Sequence, residues 1–168
     1  MTDSVPADQS SRILPGFREQ REDERFIRDW EEQAARFGKP PPLAAFDLAR
    51  MRTPDWAHRF LISVNSEIAQ HAFMVYGVKF AQLLGLSEEP LPFAAMMPQL
   101  PERYRPVFAK GCAEAVVGQA AVSLSGVFEG EREAYRVVFA AVGLAERDPM
   151  PAVFGAFNRR QRRPQFTR

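Results

Sequence analysis

Apolar residues recur at helical spacing early in the chain and predict one amphipathic helix. The stripe consists of Phe26, Ile27, Trp30, Ala34 and Phe37. Intervals of three and four residues place these side chains on one face of a helix over residues 21–37. Gly38 then supplies a C-terminal stop, and Pro40-Pro41-Pro42 prevents the helix from continuing.

Five later stretches are rich in β-branched and aromatic residues, which is typical of strands. They cover residues 59–65, 73–76, 121–128, 133–144 and 152–158. In the third stretch, Val122 and Leu124 point to one side of the predicted strand. Ser123 and Ser125 alternate with them and point to the other side.

Two predicted helices, over residues 78–86 and 101–118, lie between the second and third strands. The proline-rich stretch 90–101 between them has room only for short helical turns. This order of elements predicts an α+β fold. We expect a five-stranded antiparallel sheet with helices packed on one face, plus the N-terminal amphipathic helix.

Composition places few further limits on the number of domains, the partners and the compartment of this protein. The chain has 168 residues, of which 46% are hydrophobic, as expected for one folded domain with extensions. A net charge of +1 gives no global attraction for nucleic acid or for an anionic membrane. Cys112, the single cysteine, has no internal partner for a disulfide, which fits a reducing compartment. Since the sequence contains no visible signal peptide or membrane span, we expect a cytoplasmic protein.

A set of short motifs is spread over residues 43–160. The motifs are Trp56-Ala57-His58-Arg59-Phe60-Leu61-Ile62, Phe73-Met74-Val75-Tyr76-Gly77, Phe80-Ala81-Gln82-Leu83-Leu84, Leu100-Pro101-Glu102-Arg103-Tyr104-Arg105, Gly111-Cys112 and Gly155-Ala156-Phe157-Asn158. In order and spacing they resemble a PAS domain, a small sensory fold whose helices and sheet enclose a pocket. More closely, they resemble a branch of PAS-like proteins typical of alphaproteobacteria.

The resemblance implies the sheet order 2-1-5-4-3, with the first and last strands central. It also implies a non-catalytic sensory or regulatory module that binds a small ligand, a protein partner or both. The chain then divides into a flexible leader (1–20), the amphipathic helix (21–38), a PAS-like domain (43–158) and an Arg-rich tail (159–168).

PAS domains often form homodimers through an amphipathic N-terminal helix. The resemblance therefore makes four residues of the helical stripe candidate dimer contacts. These are Phe26, Ile27, Trp30 and Phe37. The alternative is that the helix packs on the sheet of its own chain, because the stripe must be buried against something.

In a PAS-like sheet, the face beneath the helices lines the pocket. Alternation along the strands and the resemblance together give one set of candidate ligand contacts, mostly apolar with a few polar groups. The candidates are Met74, Tyr76, Met96, Met97, Val122, Leu124, Tyr135, Val137, Phe139 and Phe157. An ordinary filled core without a ligand is the alternative.

The sequence identifies no cofactor or metal site, and it argues against haem and flavin. His58 and His71 are the only histidines. Haem-binding PAS domains usually carry the ligating histidine on or just after the long helix, and residues 101–120 contain none. The Asn-Cys-Arg-Phe-Leu-Gln type motif of light-sensing flavin PAS domains does not occur. Cys112 lies in the apolar stripe of the long helix, where a free cysteine acts as a small hydrophobe.

Two functions of other classes remain as alternatives. A small enzyme would use the same α+β cavity, although the usual catalytic motifs do not occur. A nucleic-acid-associated regulator would act through the tail, which has five arginines in its last ten residues. For the tail itself, a solvated segment or a patch for an acidic partner is the interpretation that we favour over nucleic-acid binding.

Overall fold

The computed structural model describes residues 15–46, 56–89, 94–144 and 151–161, and side chains from Asp23 to Arg160 within those ranges. Residues 1–14 of the predicted leader and residues 162–168 of the predicted tail lie outside the described residues. The helices are α1 (Pro15–Phe37), α2 (Val78–Leu84), α3 (Met96–Gln99) and α4 (Arg105–Gly118). The strands are β1 (Arg59–Ser63), β2 (Ala72–Tyr76), β3 (Ala94–Ala95), β4 (Ala121–Val127), β5 (Glu133–Gly143) and β6 (Pro151–Gln161).

The strands form one sheet in the order β3-β2-β1-β6-β5-β4, and all neighbours are antiparallel. The α+β fold with an antiparallel sheet is therefore confirmed. The expected number of five strands is wrong, because Ala94 and Ala95 pair with Phe73 and Ala72 as a sixth. Without β3, the order is the expected 2-1-5-4-3, with the first and last strands in the centre.

The sheet carries a hydrophobic cluster on each face. The front cluster, covered by α2 and α4, is built around Phe60, Phe80, Phe108, Phe139 and Phe157. The back cluster, covered by α1 and the segment after it, is built around Phe26, Trp30, Phe46, Trp56 and Phe154. Both faces of the sheet are thus covered, which explains why β5 and β6 read as nearly continuous apolar runs instead of alternating ones.

The last strand is longer than predicted. Instead of ending at Asn158, β6 pairs with β5 residue for residue as far as Gln161. The predicted tail begins at Arg159, but Arg159 and Arg160 belong to this strand. Their long side chains hid the strand from sequence analysis, since arginine at a sheet end resembles a solvated tail.

Helix α1 and the segment after it complete the hydrogen bonding of β5 beyond the point where β4 begins. In a regular antiparallel ladder the Ala120 N–H would donate to the Ala141 carbonyl. It donates instead to the Ala115 carbonyl in α4, so the Ala141 carbonyl has no donor on β4. The Trp30 indole donates to this carbonyl at 2.7 Å. Two residues further on, the Gly143 N–H donates to the carbonyl of Pro41 at 3.0 Å.

Candidate functional site

The front cluster is where the structure places most of the candidate ligand contacts. Tyr76, Met96, Val137, Phe139 and Phe157 are buried in it, and Met97, Val122, Leu124 and Tyr135 pack against it from partly exposed positions. These nine residues come from β2, the segment around α3, and all three of β4, β5 and β6. The structure therefore brings these nine residues together beneath the helices.

Met74 is the exception, because it packs against the back cluster. In the pairing of β1 with β2, Leu61 lies opposite Val75 and Ile62 opposite Phe73, so Met74 is an extra residue. Such a bulge interrupts the alternation of side chains. Phe73 and Tyr76 consequently face the front cluster, whereas Met74 and Val75 face the back.

Aromatic rings fill the centre of the front cluster. The ring of Phe60 lies 5.1 Å from that of Phe80, 5.4 Å from that of Phe108 and 5.7 Å from that of Phe139, measured between centroids. Phe157 adds contacts to Phe80 and Phe108 at 6.1 and 6.2 Å. Separations in this range are typical of packed aromatic pairs. The packing supports the filled-core alternative for the middle of this cluster.

Two polar groups of the front cluster have definite structural roles. The Tyr76 hydroxyl donates to the Ser87 carbonyl at 2.6 Å, which ties β2 to the segment after α2. Burial raises the pKa of Tyr76. Burial also raises the pKa of Cys112 to about 12, so its thiol stays protonated at neutral pH. Cys112 has the expected place in the core and is a poor nucleophile there.

A polar group of side chains closes one end of the front cluster, and we call it the rim. Arg159 donates to Glu133 at 2.7 Å and to the carbonyl of Leu83 at 2.9 Å. It also forms a hydrogen bond with Tyr104. Burial raises the pKa of Tyr104, and the charges of Arg159 and Arg103 partly oppose that rise. One arginine thus joins β6, β5, the end of α2 and the turn before α4.

The rim also borders an open depression of about 260 Å³, lined by Glu131, Arg132, Glu133 and Arg159. Sequence analysis missed the rim because its side chains, Arg159, Glu133 and Tyr104, come from three separate segments of the chain. The one available signal was the charge alternation Glu131-Arg132-Glu133 after the hairpin turn.

The helical stripe lies against the chain's own sheet. Phe26 and Trp30 are 7% and 3% exposed and belong to the back cluster, with Ile27 packed at its edge. Phe37 is 53% exposed. Three of the four candidate dimer contacts therefore have partners within the chain, which is the arrangement of the intramolecular alternative. Homodimer formation itself stays a prediction.

The histidines occupy different surroundings. His58 is partly exposed, and its Nδ1 lies 3.3 Å from the carbonyl of Phe157. His71 is buried, and its Nδ1 accepts the backbone N–H of Asn65 at 3.2 Å. Burial lowers the pKa of His71, and a hydrogen bond with the backbone of Glu67 opposes this in part. The described residues contain no group of three or more His, Cys, Asp or Glu that could hold a metal ion.

The lowered pKa of His71 gives a prediction for stability against pH. The unfolded chain takes up this proton near pH ~6.5, whereas the folded chain does so only at lower pH. The contribution of His71 is therefore present above pH ~6.5 and is lost as the pH falls through the folded-state value. A His71→Asn variant keeps an acceptor for Asn65 but does not titrate. We expect the stability advantage of the wild type over this variant to shrink on acidification in urea titrations, and a constant difference contradicts the assignment.

Comparison with known proteins gives matches among solved structures alone. No protein-family model matches the sequence, and no curated protein matches it either. Among solved structures, the chain is similar to the PAS domain of the histidine kinase ThkA. The identity is 17% and the TM-score 0.44, and the match covers 60% of this chain and 98% of that one. No helix among the described residues combines the length and the apolarity needed to cross a bilayer.

Proposed function

We propose that the chain is a non-catalytic, cytoplasmic regulatory module of the PAS-like kind that forms homodimers and signals through α1. The observation that carries this is the position of α1 on the back of the sheet, opposite the helices that cover the front cluster. Strand β6 contributes Phe154 to the back cluster and Phe157 to the front one. A displacement of β6 that begins in the front cluster would therefore also change the contacts of α1 on the other face of the sheet.

The polar contacts that hold α1 on the sheet support this role. Trp30 donates to the Ala141 carbonyl at 2.7 Å, and Asp23 forms an ion pair with Arg136 at 3.0 Å. The ring of Phe26 packs against that of Phe154 at 5.1 Å. All three contacts are made to β5 and β6, so a small shift of these strands changes all of them together. Elements that move during signalling come from the less stable parts of a fold.

The signal itself would arrive at the front cluster or at its rim. Nine candidate ligand contacts gather there, and they remain the proposed contacts for a small molecule. The rings that fill the middle favour a signal from an unidentified protein partner, or from a ligand at the rim, over one bound deep inside. The ligand or partner must bind more tightly to the domain when α1 is in one position than when it is in the other. Only such a difference in affinity shifts the equilibrium between the two positions of α1.

Native-state hydrogen exchange tests the role of α1. We expect its amides to exchange through a partial opening that costs less free energy than global unfolding, whereas β1 and β6 exchange only with the whole domain. A Trp30→Phe variant keeps an aromatic ring but leaves Ala141 without its donor. The opening should then cost about 1 kcal/mol less, which is roughly fivefold faster exchange.

A Phe37→Ala variant is the control, because Phe37 lies in the same helix but is largely exposed. Its effect on α1 exchange should be small. If α1 exchanges only when the whole domain unfolds, in wild type and variant alike, the helix is a fixed part of the fold and the proposed signalling role is wrong.

Mass spectrometry under native and denaturing conditions tests the input. The protein is purified from its own cells, and the two spectra are compared. An extra mass present only under native conditions identifies a small ligand. An unliganded mass leaves a protein partner as the proposed source of the signal.

A further inference from the structure

The two edges of the sheet differ in how well they are protected. At one edge, β3 has only two residues. At the other, β4 runs for seven residues, Ala121–Val127, with no charge and no proline. Among the described residues, β4 pairs with β5 alone. Exposed edges in natural proteins usually carry charges, prolines or bulges that prevent pairing with another chain.

The register identifies the backbone groups that this edge presents. The Ala141 N–H donates to the Ala120 carbonyl, and the β4–β5 pairing continues without a bulge. In an antiparallel ladder, alternate residues direct both N–H and C=O toward the same neighbour. Even-numbered residues of β4 therefore face β5. The residues whose backbone groups face outward are Ala121, Ser123, Ser125 and Val127.

These outward groups match a second copy of themselves. When two β4 strands run antiparallel about a twofold axis at Leu124, Ser123 of one copy lies opposite Ser125 of the other, and Ala121 lies opposite Val127. Each such pair exchanges two hydrogen bonds, so all four outward residues of each strand are used. A self-complementary patch of this kind is what a twofold interface requires.

The side chains are compatible with the same pairing. Ser123, Ser125 and Val127 are exposed on the back of the sheet, so they are not already covered by α1. In this register no like charges lie opposite each other. Beyond the strand, Glu129 of one copy lies opposite Gln119 of the other. Like charges directly opposite each other destabilise a strand pair, and a hydroxyl pair is favourable.

We propose that β4 is the homodimer surface, pairing antiparallel with β4 of a second copy to make one continuous sheet. The inference rests on the homodimer of the proposed function and names its surface, in place of the α1 stripe expected from the sequence. It leaves α1 free to move within each copy. The α1 exchange experiment and the experiment below can therefore fail independently.

Two double variants of the full chain, differing in the sign of one charge, test the proposal. Ser123→Lys with Ser125→Lys places lysine opposite lysine twice across the twofold axis. Ser123→Glu with Ser125→Lys places glutamate opposite lysine twice. Each changes only side chains that are exposed in the single chain. Circular dichroism melting of both variants confirms that each remains folded.

The molecular mass in solution, from light scattering at tens of micromolar protein and low salt, is the readout. We expect a dimer for the wild type and for the Glu/Lys variant, and at least a tenfold weaker dimer for the Lys/Lys variant. A monomeric wild type overturns the proposal and leaves β4 to another occupant. Dimers of equal strength in both variants also overturn it, as an α1-mediated dimer would persist in both. Equal loss in both variants overturns the twofold register.

Discussion

Gly111→Ala is expected to destabilise the domain by about 1–3 kcal/mol, even though alanine is the better helix former by about 1 kcal/mol. Gly111 lies in the middle of α4, where a Cβ would come well within 3.0 Å of the Phe139 ring, a separation that real Cβ atoms essentially never show. Phe139 is fully buried and also contacts Phe60 and Phe108, so its ring cannot turn aside. Urea denaturation of wild type and variant measures the effect.

The same helix provides the control. A Cβ at Gly118 would find its nearest neighbour, the Ala120 Cβ, at 3.6 Å, which is ordinary contact. Gly118→Ala should therefore be neutral or stabilise the domain by up to about 1 kcal/mol. Adding Phe139→Leu to Gly111→Ala makes room for the new methyl group and should recover part of the loss. If both glycine variants behave alike, helix propensity alone decides, and the close approach of α4 to β5 is not important.

Phe154→Ala is expected to cost about 3–5 kcal/mol, the largest effect of any change considered. The Phe154 ring lies at the centre of the back cluster, 5.1 Å from Phe26, 5.6 Å from Phe46 and 5.4 Å from Trp56. Its removal leaves a cavity that three aromatic side chains on different segments cannot fill together. Chemical denaturation gives the loss of stability, and tryptophan fluorescence gives the exposure of Trp30 and Trp56.

Phe37→Ala in the same hydrophobic stripe as Phe26 should change stability by no more than about 0.5 kcal/mol, because Phe37 is 53% exposed. A large loss for Phe37 and a small one for Phe154 would mean that the stripe is buried elsewhere, as in a dimer formed by α1. The pair of measurements thus also weighs the two predicted positions of this helix against each other.

Local patterns predicted most elements but not the relations between them. The stripe containing Phe26 and Trp30 gave the helix and its end, since helical spacing is a property of the segment alone. The partner of that stripe was not predictable, because α1 is positioned by Ala141 and Phe154, more than 100 residues away in the chain. The alternation of Val122 and Leu124 likewise gave the buried side of β4.

Three features escaped sequence analysis for definite physical reasons. The bulge at Met74 reverses the face of that side chain, and a bulge depends on the partner strand. Strand β3 is too short, at two residues, to leave a periodic signal. Arg159 looked like part of a solvated tail, whereas Glu133 and the Leu83 carbonyl hold it in place. Each depends on contacts between distant segments.

The burial of Cys112 allows the single cysteine to report on transient openings of the protein interior. A thiol-specific reagent reacts only with the thiolate, and the thiol is both covered by the front cluster and held protonated. Labelling can therefore proceed only during moments when α4 parts from the sheet. At a reagent concentration at which labelling is faster than reclosing, the rate of labelling gives the rate of these openings, on the unmodified chain and without any inserted probe.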